Sequence, residues 1–497
     1  MIYFAYIVLG VYLIALIYVT IFCMMQFHLL FHYYKHHLGK DTFDQLKPQA
    51  VIEDNEWPFV TIQLPIFNEK YVVKRLIQNI TSLDYPIDKF EIHVLDDSTD
   101  ETVSLVREQV DYFANQGFLI EHIRRTDRQG YKAGALRDGM EKAKGEFIAI
   151  FDADFLPKSD FLKNTIPYFQ NEKIGVVQTR WEHINQDYSL ITKLQAFQLN
   201  VHFTVEQQGR ESADYLLQFN GTAGVWRKET IYDAGGWEAD TLTEDLDLSY
   251  RAQIKGWKIA FLEEIGSPAE LPAEMNSLKT QQYRWMKGGA ETAKKILPTV
   301  WNAEMKLSKK IHASMHLLSS SVFLFVFLLG VFSVPLLFAL TPLDISINKF
   351  MWFLVGLFAI IIVYYVANSS VLDSKESKLK FFVKFVLIFP IFLALSMGLS
   401  LHNSIAVLQG YRGKKSPFVR TPKFDIKNIS DKIKVSSYIP KLAGTTIIEG
   451  ILALYFLFAV IAGIKINDSS FLIFHILLFV GYSTIFFYSV KHMSFKE

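Results

Sequence analysis

The feature that most limits what this chain can become is a run with no charged residue, 2–26, followed after a long polar middle by further apolar runs at 315–341, 350–367, 381–409, 446–464 and 471–490. A helix rises 1.5 Å per residue, so about 20 apolar residues cross a bilayer. The first run reads as a span and not as a cleaved leader. It lacks a basic start and a small-residue cleavage site, and it is too long. The run 381–409 is less clean, because it holds Lys384, Pro390, Gly398, His402 and Asn403. With 51% hydrophobic and 20% charged residues the chain is not disordered. One cysteine, Cys23, excludes an internal disulfide framework or a cysteine-rich zinc site. A formal charge of +1 gives no reason to expect a nucleic-acid partner.

Loop charge sets the expected orientation, because Lys and Arg stay on the cytoplasmic side. Lys35, Lys40 and Lys47 follow the first run, and Lys287, Lys294, Lys295, Lys306, Lys309 and Lys310 precede the second. The short loops 342–349 and 465–470 each carry one Lys, balanced by Asp344 and Asp468. Segment 28–312 is therefore expected in the cytoplasm. Residues 410–441 hold nine basic residues (Arg412, Lys414, Lys415, Arg420, Lys423, Lys427, Lys432, Lys434 and Lys441) against Asp425 and Asp431, which also places them inside. That parity requires 381–409 to lie in the interface or to enter and return, giving five spans. Six spans with a violated charge rule is the alternative. The expected division is a helix at 1–27, a cytoplasmic domain at 28–312, two spans within 313–367, an interfacial or re-entrant element and cytoplasmic segment at 368–441, and two spans plus a tail at 442–497.

Between 58 and 265 short β-rich runs alternate with amphipathic stretches. Val60–Ile66, Phe90–Leu95, Glu146–Phe151 and Ile174–Gln178 read as strands; Glu69–Ile80, Glu101–Asn115 and Tyr131–Ala143 read as helices. This alternation predicts an α/β domain with a parallel, doubly wound sheet, and such sheets bind ligands at the carboxyl ends of their strands. Two strands end in carboxylates: Asp96-Asp97 and Asp152-Ala153-Asp154. Asp after a strand can simply start a turn. Two such pairs in one sheet point instead to hard oxygen ligands for Mg²⁺ or Mn²⁺, shared with substrate phosphates. Neither a GxGxxG nor a GxxxxGK[ST] loop occurs, which removes the main feature of a dinucleotide dehydrogenase or a P-loop NTPase. A third acidic cluster, Thr243-Glu244-Asp245-Leu246-Asp247, precedes an expected helix at Leu248–Ile254. It is either a helix cap or the home of a general base. Gln281, Arg284 and Trp285 could hold a diphosphate and stack on a sugar, or anchor the next membrane segment.

The order Asp96-Asp97, Asp152-x-Asp154, Thr243-Glu244-Asp245, Gln281-x-x-Arg284-Trp285 resembles the D, DxD, TED, QxxRW signature of processive family 2 glycosyltransferases, the cellulose, hyaluronan and mannan synthases. Pro65-Ile66-Phe67-Asn68-Glu69 resembles that family's opening nucleotide-binding strand, and Lys132–Leu136 its lysine-bearing segment. Phe219-Asn220-Gly221-Thr222, continuing to Arg227 and followed by Gly235-Gly236-Trp237, resembles its acceptor segment. Phe418-Val419-Arg420-Thr421-Pro422-Lys423 resembles its cytoplasmic gating loop. The match runs from about 1 to 490 and looks closest to the glucomannan/mannan and glucan synthase-like branch. It departs from the family in having a single span before the domain, in lacking a PilZ-like domain, and in Tyr283 where the branch carries His.

The resemblance implies a GT-A-like, nucleotide-sugar-binding cytoplasmic domain joined to an α-helical transmembrane region. It implies an inverting hexosyltransferase in the inner or cytoplasmic membrane that polymerises a β-linked glycan from a UDP- or GDP-sugar and translocates it. Glu69, Asp96, Asp97 and Lys132 would hold the nucleotide sugar, and Asp152 and Asp154 a Mg²⁺ or Mn²⁺ ion. Asp245 would be the general base, with Glu244 in its place if the helix begins one residue earlier. Phe219, Asn220, Gly221, Thr222, Gln281, Arg284 and Trp285 would face the acceptor and diphosphate. Phe418, Arg420, Thr421 and Lys423 would close over the nucleotide. A non-processive enzyme adding one sugar to a membrane lipid would use the same acidic motifs. A bare transporter leaves residues 58–300 without a role.

Overall fold

The structure, a computed structural model, describes residues 2–38, 56–340, 347–372, 377–416, 418–426 and 444–491, with single positions at 48, 52, 53, 343, 345 and 431. Of the charges used above, Lys40, Lys47, Asp344, Lys427, Lys432, Lys434 and Lys441 lie outside the described residues.

The first helix, α1 (Ile2–His37), runs well beyond its uncharged stretch. Its last turns bury Leu29, Leu30 and Tyr33 against Val201 and Val205 of the soluble domain, so the helix gains packing where it leaves the apolar run. The soluble domain then alternates as expected: β1 (Val60–Ile66), α2 (Val73–Ile80), β2 (Phe90–Asp96), α3 (Thr102–Ala114), β3 (Ile120–Arg124), α4 (Tyr131–Lys142), β4 (Phe147–Ile150), α5 (Phe161–Thr165), β5 (Ile174–His183) and α6 (Leu190–Val201). A π-helical turn, His202–Gln207, leads into α7 (Gln208–Ser212), and β6 (Gly224–Arg227), α8 (Lys228–Asp233), α9 (Glu244–Ile254), β7 (Lys258–Ala269) and α10 (Met275–Asn302) complete the domain.

The seven strands form one sheet in the order β3-β2-β1-β4-β6-β5-β7. Strand β4 is a continuous apolar run, as expected of a strand covered on both faces, and every residue of β2 and β4 is buried. Two of the polar residues of β1 and β2 are paired: the Thr61 hydroxyl donates to Glu91 at 2.7 Å, and the Lys144 amide donates to the same oxygen at 2.7 Å. The sheet is mixed and not parallel throughout. Strand β6 runs antiparallel to both β4 and β5. The chain reverses just before it, at Gly221 (φ +80°) and Ala223 (φ 56°), and so enters the sheet from the opposite end. Strands β3, β6 and β7 were not among the expected elements.

After the domain come α11 (Leu307–Leu317), α12 (Val322–Ala339), α13 (Leu354–Ser369), α14 (Lys378–Gly398), α15 (Ser400–Tyr411), α16 (Thr445–Lys465) and α17 (Leu472–Lys491). Among the described residues six helical segments are long and apolar enough to cross a membrane, Lys378–Gly398 included. The run expected as one element at 381–409 is thus two helices. Phe381, Phe385, Phe389 and Phe392 form one stripe of α14, as a helical repeat demands, and pack with Ile191, Leu194 and Phe197 of α6 and with Met275 and Leu278 of α10. Phe197 packs on Phe385 and Phe392, at 5.9 and 5.4 Å between ring centroids. Gly398, at the far end of α14, has no room for a Cβ, which would lie 2.5 Å from the backbone of Gly481 in α17. From there α15 returns toward the domain. Its Tyr411 hydroxyl is 2.6 Å from Ser321 at the base of α12, and its Tyr411 carbonyl accepts from Lys294 of α10 at 3.0 Å.

Candidate active site

The carboxyl ends of β1, β2 and β4 open into a cavity of about 210 Å³, roofed by residues 418–423. Every site residue expected from the sequence lines it except Asp96, Phe219 and Thr222. Those three lie beneath the floor. Asp96 turns away to the His122 ring at 2.8 Å and accepts from the Ser98 amide at 2.8 Å. Burial works against its charge, yet the bonds from His122 and Ser98 outweigh it and hold the carboxyl below its usual range. Phe219 packs edge-on against Trp226 at 5.3 Å in the core. The Thr222 hydroxyl accepts from the Asp152 amide at 2.8 Å, so it sets the backbone of the acidic turn and does not face the cavity.

Asp97, one residue past the strand, does reach the cavity. The Arg125 guanidinium binds it through two nitrogens, at 2.9 and 2.5 Å. Beside this pair stands a platform that sequence reading missed. The Arg128 guanidinium lies 3.3 Å from the Phe67 ring centroid and 5.0 Å from that of Tyr131, and Tyr131 stacks on Phe418 at 5.7 Å. Arg284 covers the same Phe418 ring at 4.7 Å. Flat aromatic and guanidinium faces suit a nucleobase. The signal available beforehand was the basic loop Arg124-Arg125 to Arg128 leading into α4.

The two carboxylates after β4 are each met by an ammonium group. Lys132 donates to Asp152 at 2.6 Å and to the Gly221 carbonyl at 2.9 Å. Lys423 donates to Asp154 at 2.6 Å. A pair of hard oxygen donors that already gathers positive charge fits a divalent cation such as Mg²⁺ or Mn²⁺. A second acidic group, Glu238, Asp240 and Asp247, brings its ligand atoms within 4.8 Å of one another. Its charge is met from inside the fold: Lys295 lies 2.5, 2.9 and 3.0 Å from the three carboxylates.

Helix α9 starts at Glu244, four residues earlier than expected, and this turns Glu244 and Asp245 into the cavity while Asp247 points to Arg251 at 2.7 Å. Burial, reinforced by the neighbouring Glu244 charge, pushes Asp245 up to about 7. Gly221 faces it: a Cβ there would stand 2.9 Å from the Asp245 Oδ2. The absence of a side chain leaves room beside that oxygen.

The roof is tied down by charge. Arg420 lies 2.7 Å from Glu69, whose carboxyl burial lifts to about 7 in spite of that partner. The Arg284 guanidinium donates to the Thr421 hydroxyl at 3.1 Å. Glu270, also not foreseen, accepts from the amides of Phe424 and Asp425 at 2.8 and 3.1 Å and pairs with Arg75 at 3.2 Å.

Residues 58–288 match a family model described as "Glycosyltransferase like family 2". This segment, a little under half of the chain, is similar to family 2 glycosyltransferase domains. The chain has curated relatives among plant enzymes. The chain is 41% identical over 276 residues to glucomannan 4-beta-mannosyltransferase 9 of Arabidopsis thaliana, covering 54% of this chain and 52% of that one. It is 43% identical over 262 residues to glucomannan 4-beta-mannosyltransferase 1 of Oryza sativa subsp. japonica, covering 52% and 50%. It thus spans about half the length of the curated relatives it matches. Among solved structures it is similar to the mannosyltransferase PcManGT from Pyrobaculum calidifontis in complex with GDP-Man and Mn²⁺. The TM-score is 0.53 at 18% identity, over 82% of this chain and 100% of that one. The shared fold is GT-A-like: a mixed, Rossmann-type sheet.

Proposed function

We propose that this protein is an inverting, membrane-embedded hexosyltransferase that builds a β-linked polysaccharide of the β-1,4-mannan or glucan type from a nucleotide-diphospho sugar and passes the chain through its own helices. The observation that carries the reading is that Asp152 and Asp154 share one cavity with Asp245, with Gly221 leaving space beside its carboxylate. The names of the plant relatives support a mannosyl donor, and GDP-Man bound to PcManGT supports a GDP-sugar.

The platform of Phe67, Arg128 and Tyr131 holds the base, and Asp97, fixed by Arg125, reads the ribose. Asp152 and Asp154 would hold the divalent metal, Mg²⁺ or Mn²⁺, which when bound would supply a Lewis acid to offset charge on the diphosphate. Lys132, Arg284 and Lys423 add positive charge around the same oxygens. Asp245 takes the proton from the acceptor hydroxyl. With Asp245 acting as base and no covalent intermediate on a carboxylate, transfer is a single in-line displacement, which inverts the anomeric centre. Gln281 and Trp285 hold the terminal sugar of the growing chain, the indole stacking on its face. Glu244, beside Asp245, keeps the base's affinity for protons high by like-charge repulsion.

The same reading places the domain and residues 410–441 on the cytoplasmic side, with α14 and α15 entering the bilayer and returning. The bonds from Tyr411 to the domain side support it. Five helices, α1, α12, α13, α16 and α17, then cross fully.

The test is to incubate membranes from expressing cells with radiolabelled GDP-mannose, GDP-glucose, UDP-glucose and UDP-N-acetylglucosamine. A high-mass product cut by an endo-β-mannanase or cellulase is expected. A singly glycosylated lipid would select the non-processive alternative, and no incorporation from any donor would end the proposal.

A further inference from the structure

The π-helical turn His202–Gln207 interrupts an otherwise regular helix, and such turns occur mainly where a side chain must be re-aimed. Here the turn aims His202 at the cavity wall. The ring Nε2 lies 2.8 Å from Oδ1 of Asn220, a residue that lines the cavity next to Gly221. The ring Nδ1 lies 2.9 Å from Glu206, one helical turn away. Glu206 in turn accepts from the Gln26 carboxamide of α1 at 2.7 Å, and the Arg210 guanidinium stands 3.6 Å from it. A continuous polar chain therefore runs from the first membrane helix through Glu206 and His202 to the active-site wall.

We propose that His202 is a positioning residue for the acceptor, acting through Asn220. With its Oδ1 against the ring and its Nδ2 directed at the Gln218 carbonyl 3.5 Å away, the Asn220 carboxamide is held in one orientation, and its remaining N–H is available to a hydroxyl of the incoming acceptor sugar. Its backbone is fixed independently, the amide donating to Gln178 at 2.8 Å, so only the side chain depends on His202. The acceptor is thus a hydroxyl-rich glycan end read by an amide, and Gln26 makes the seating of α1 part of that site. A purely structural link between α1 and the domain would not need to end on a cavity-lining amide.

The inference rests on the transferase reading, and the experiment separates the two. In the full-length protein in native membranes, transfer is measured against oligosaccharide acceptor concentration, and donor affinity with a fluorescent GDP-sugar or UDP-sugar. His202→Ala is expected to cut acceptor-dependent kcat/KM by about 10²-fold, the scale of a small misplacement of a reacting group, with donor affinity unchanged. Asn220→Ala is expected to cost as much, and the double variant no more than either, since residues acting through one contact are not additive. His202→Gln, whose amide reaches the same oxygen, is expected to recover most of the loss. Additive effects of the two alanine variants, an equal loss of donor affinity, or an unimpaired His202→Ala would overturn the inference while leaving the transferase reading intact. Wild-type membranes that transfer no sugar would overturn both.

Discussion

Lys423 Nζ lies 2.6 Å from Asp154 Oδ2, although the two residues are 269 positions apart. The contact joins the segment after α15 to the acidic turn after β4, and it holds that segment as the roof of the cavity. With Arg420 on Glu69 at 2.7 Å, it places two cations of one short segment over carboxylates of the cavity.

Lys423→Ala should therefore lower kcat/KM for the sugar nucleotide by about 10–10²-fold, the equivalent of one charge-assisted hydrogen bond. Steady-state kinetics on purified protein check it. A variant with wild-type kinetics would show that the roof takes no part in turnover.

Asp152→Asn or Asp154→Asn should each abolish transfer, because hard-metal ligation needs the carboxylate charge. EDTA should silence the wild type, and Mn²⁺ or Mg²⁺ should restore it. Full activity in metal-free buffer would be incompatible with the assignment.

Asp245 is raised to about 7, so below that pH it is protonated and cannot accept the acceptor's proton. Transfer should climb about tenfold per pH unit up to neutrality and level off above it, as for any single essential base. Asp245→Asn should lose at least 10²-fold in turnover, bind the sugar nucleotide normally and show no such rise. Glu244→Gln should shift the inflection to lower pH, since it removes the neighbouring negative charge. A pH profile that is flat between 5 and 9 in the wild type would remove Asp245 from the role.

Cytoplasmic placement of the roof segment is checked by labelling. Lys414 is exposed at its start, and Cys23 is the sole native cysteine. In a Cys23→Ala background, Lys414→Cys should react with a membrane-impermeant maleimide only after cells are permeabilised. Reaction in intact cells would mean that α14 crosses fully and that six helices span.

Much of the domain could be read in the chain because its rules are local. Strands β2 and β4 lead into Asp, β1 carries Val, Ile and Leu at alternate positions, and α4 repeats its buried residues at helical spacing. Strand β3 alternates half-buried and exposed residues at the sheet edge, so it carries little apolar signal. Strand β7 contains Glu263 and Glu264, and its fit depends on partners far away, with Arg180 of β5 bonding Glu263 at 3.0 Å. The direction of β6 depended on a reversal at Gly221 and Ala223 that no periodicity encodes.

By itself the sequence determined which segments are apolar enough for a membrane, which carboxylates end strands, and which basic residues stay together, because length, side-chain period and charge are properties of short stretches. Only the tertiary structure decided that Asp97 and not Asp96 faces the cavity, that Asp245 faces it while Asp247 pairs with Arg251 and Lys295, and that His202 reaches Asn220. The physical reason is that each of those outcomes turns on where a counter-charge or hydrogen-bond partner lands. His122, Arg251, Lys295 and Glu206 reach their places only when sheet, helices and membrane segments pack together.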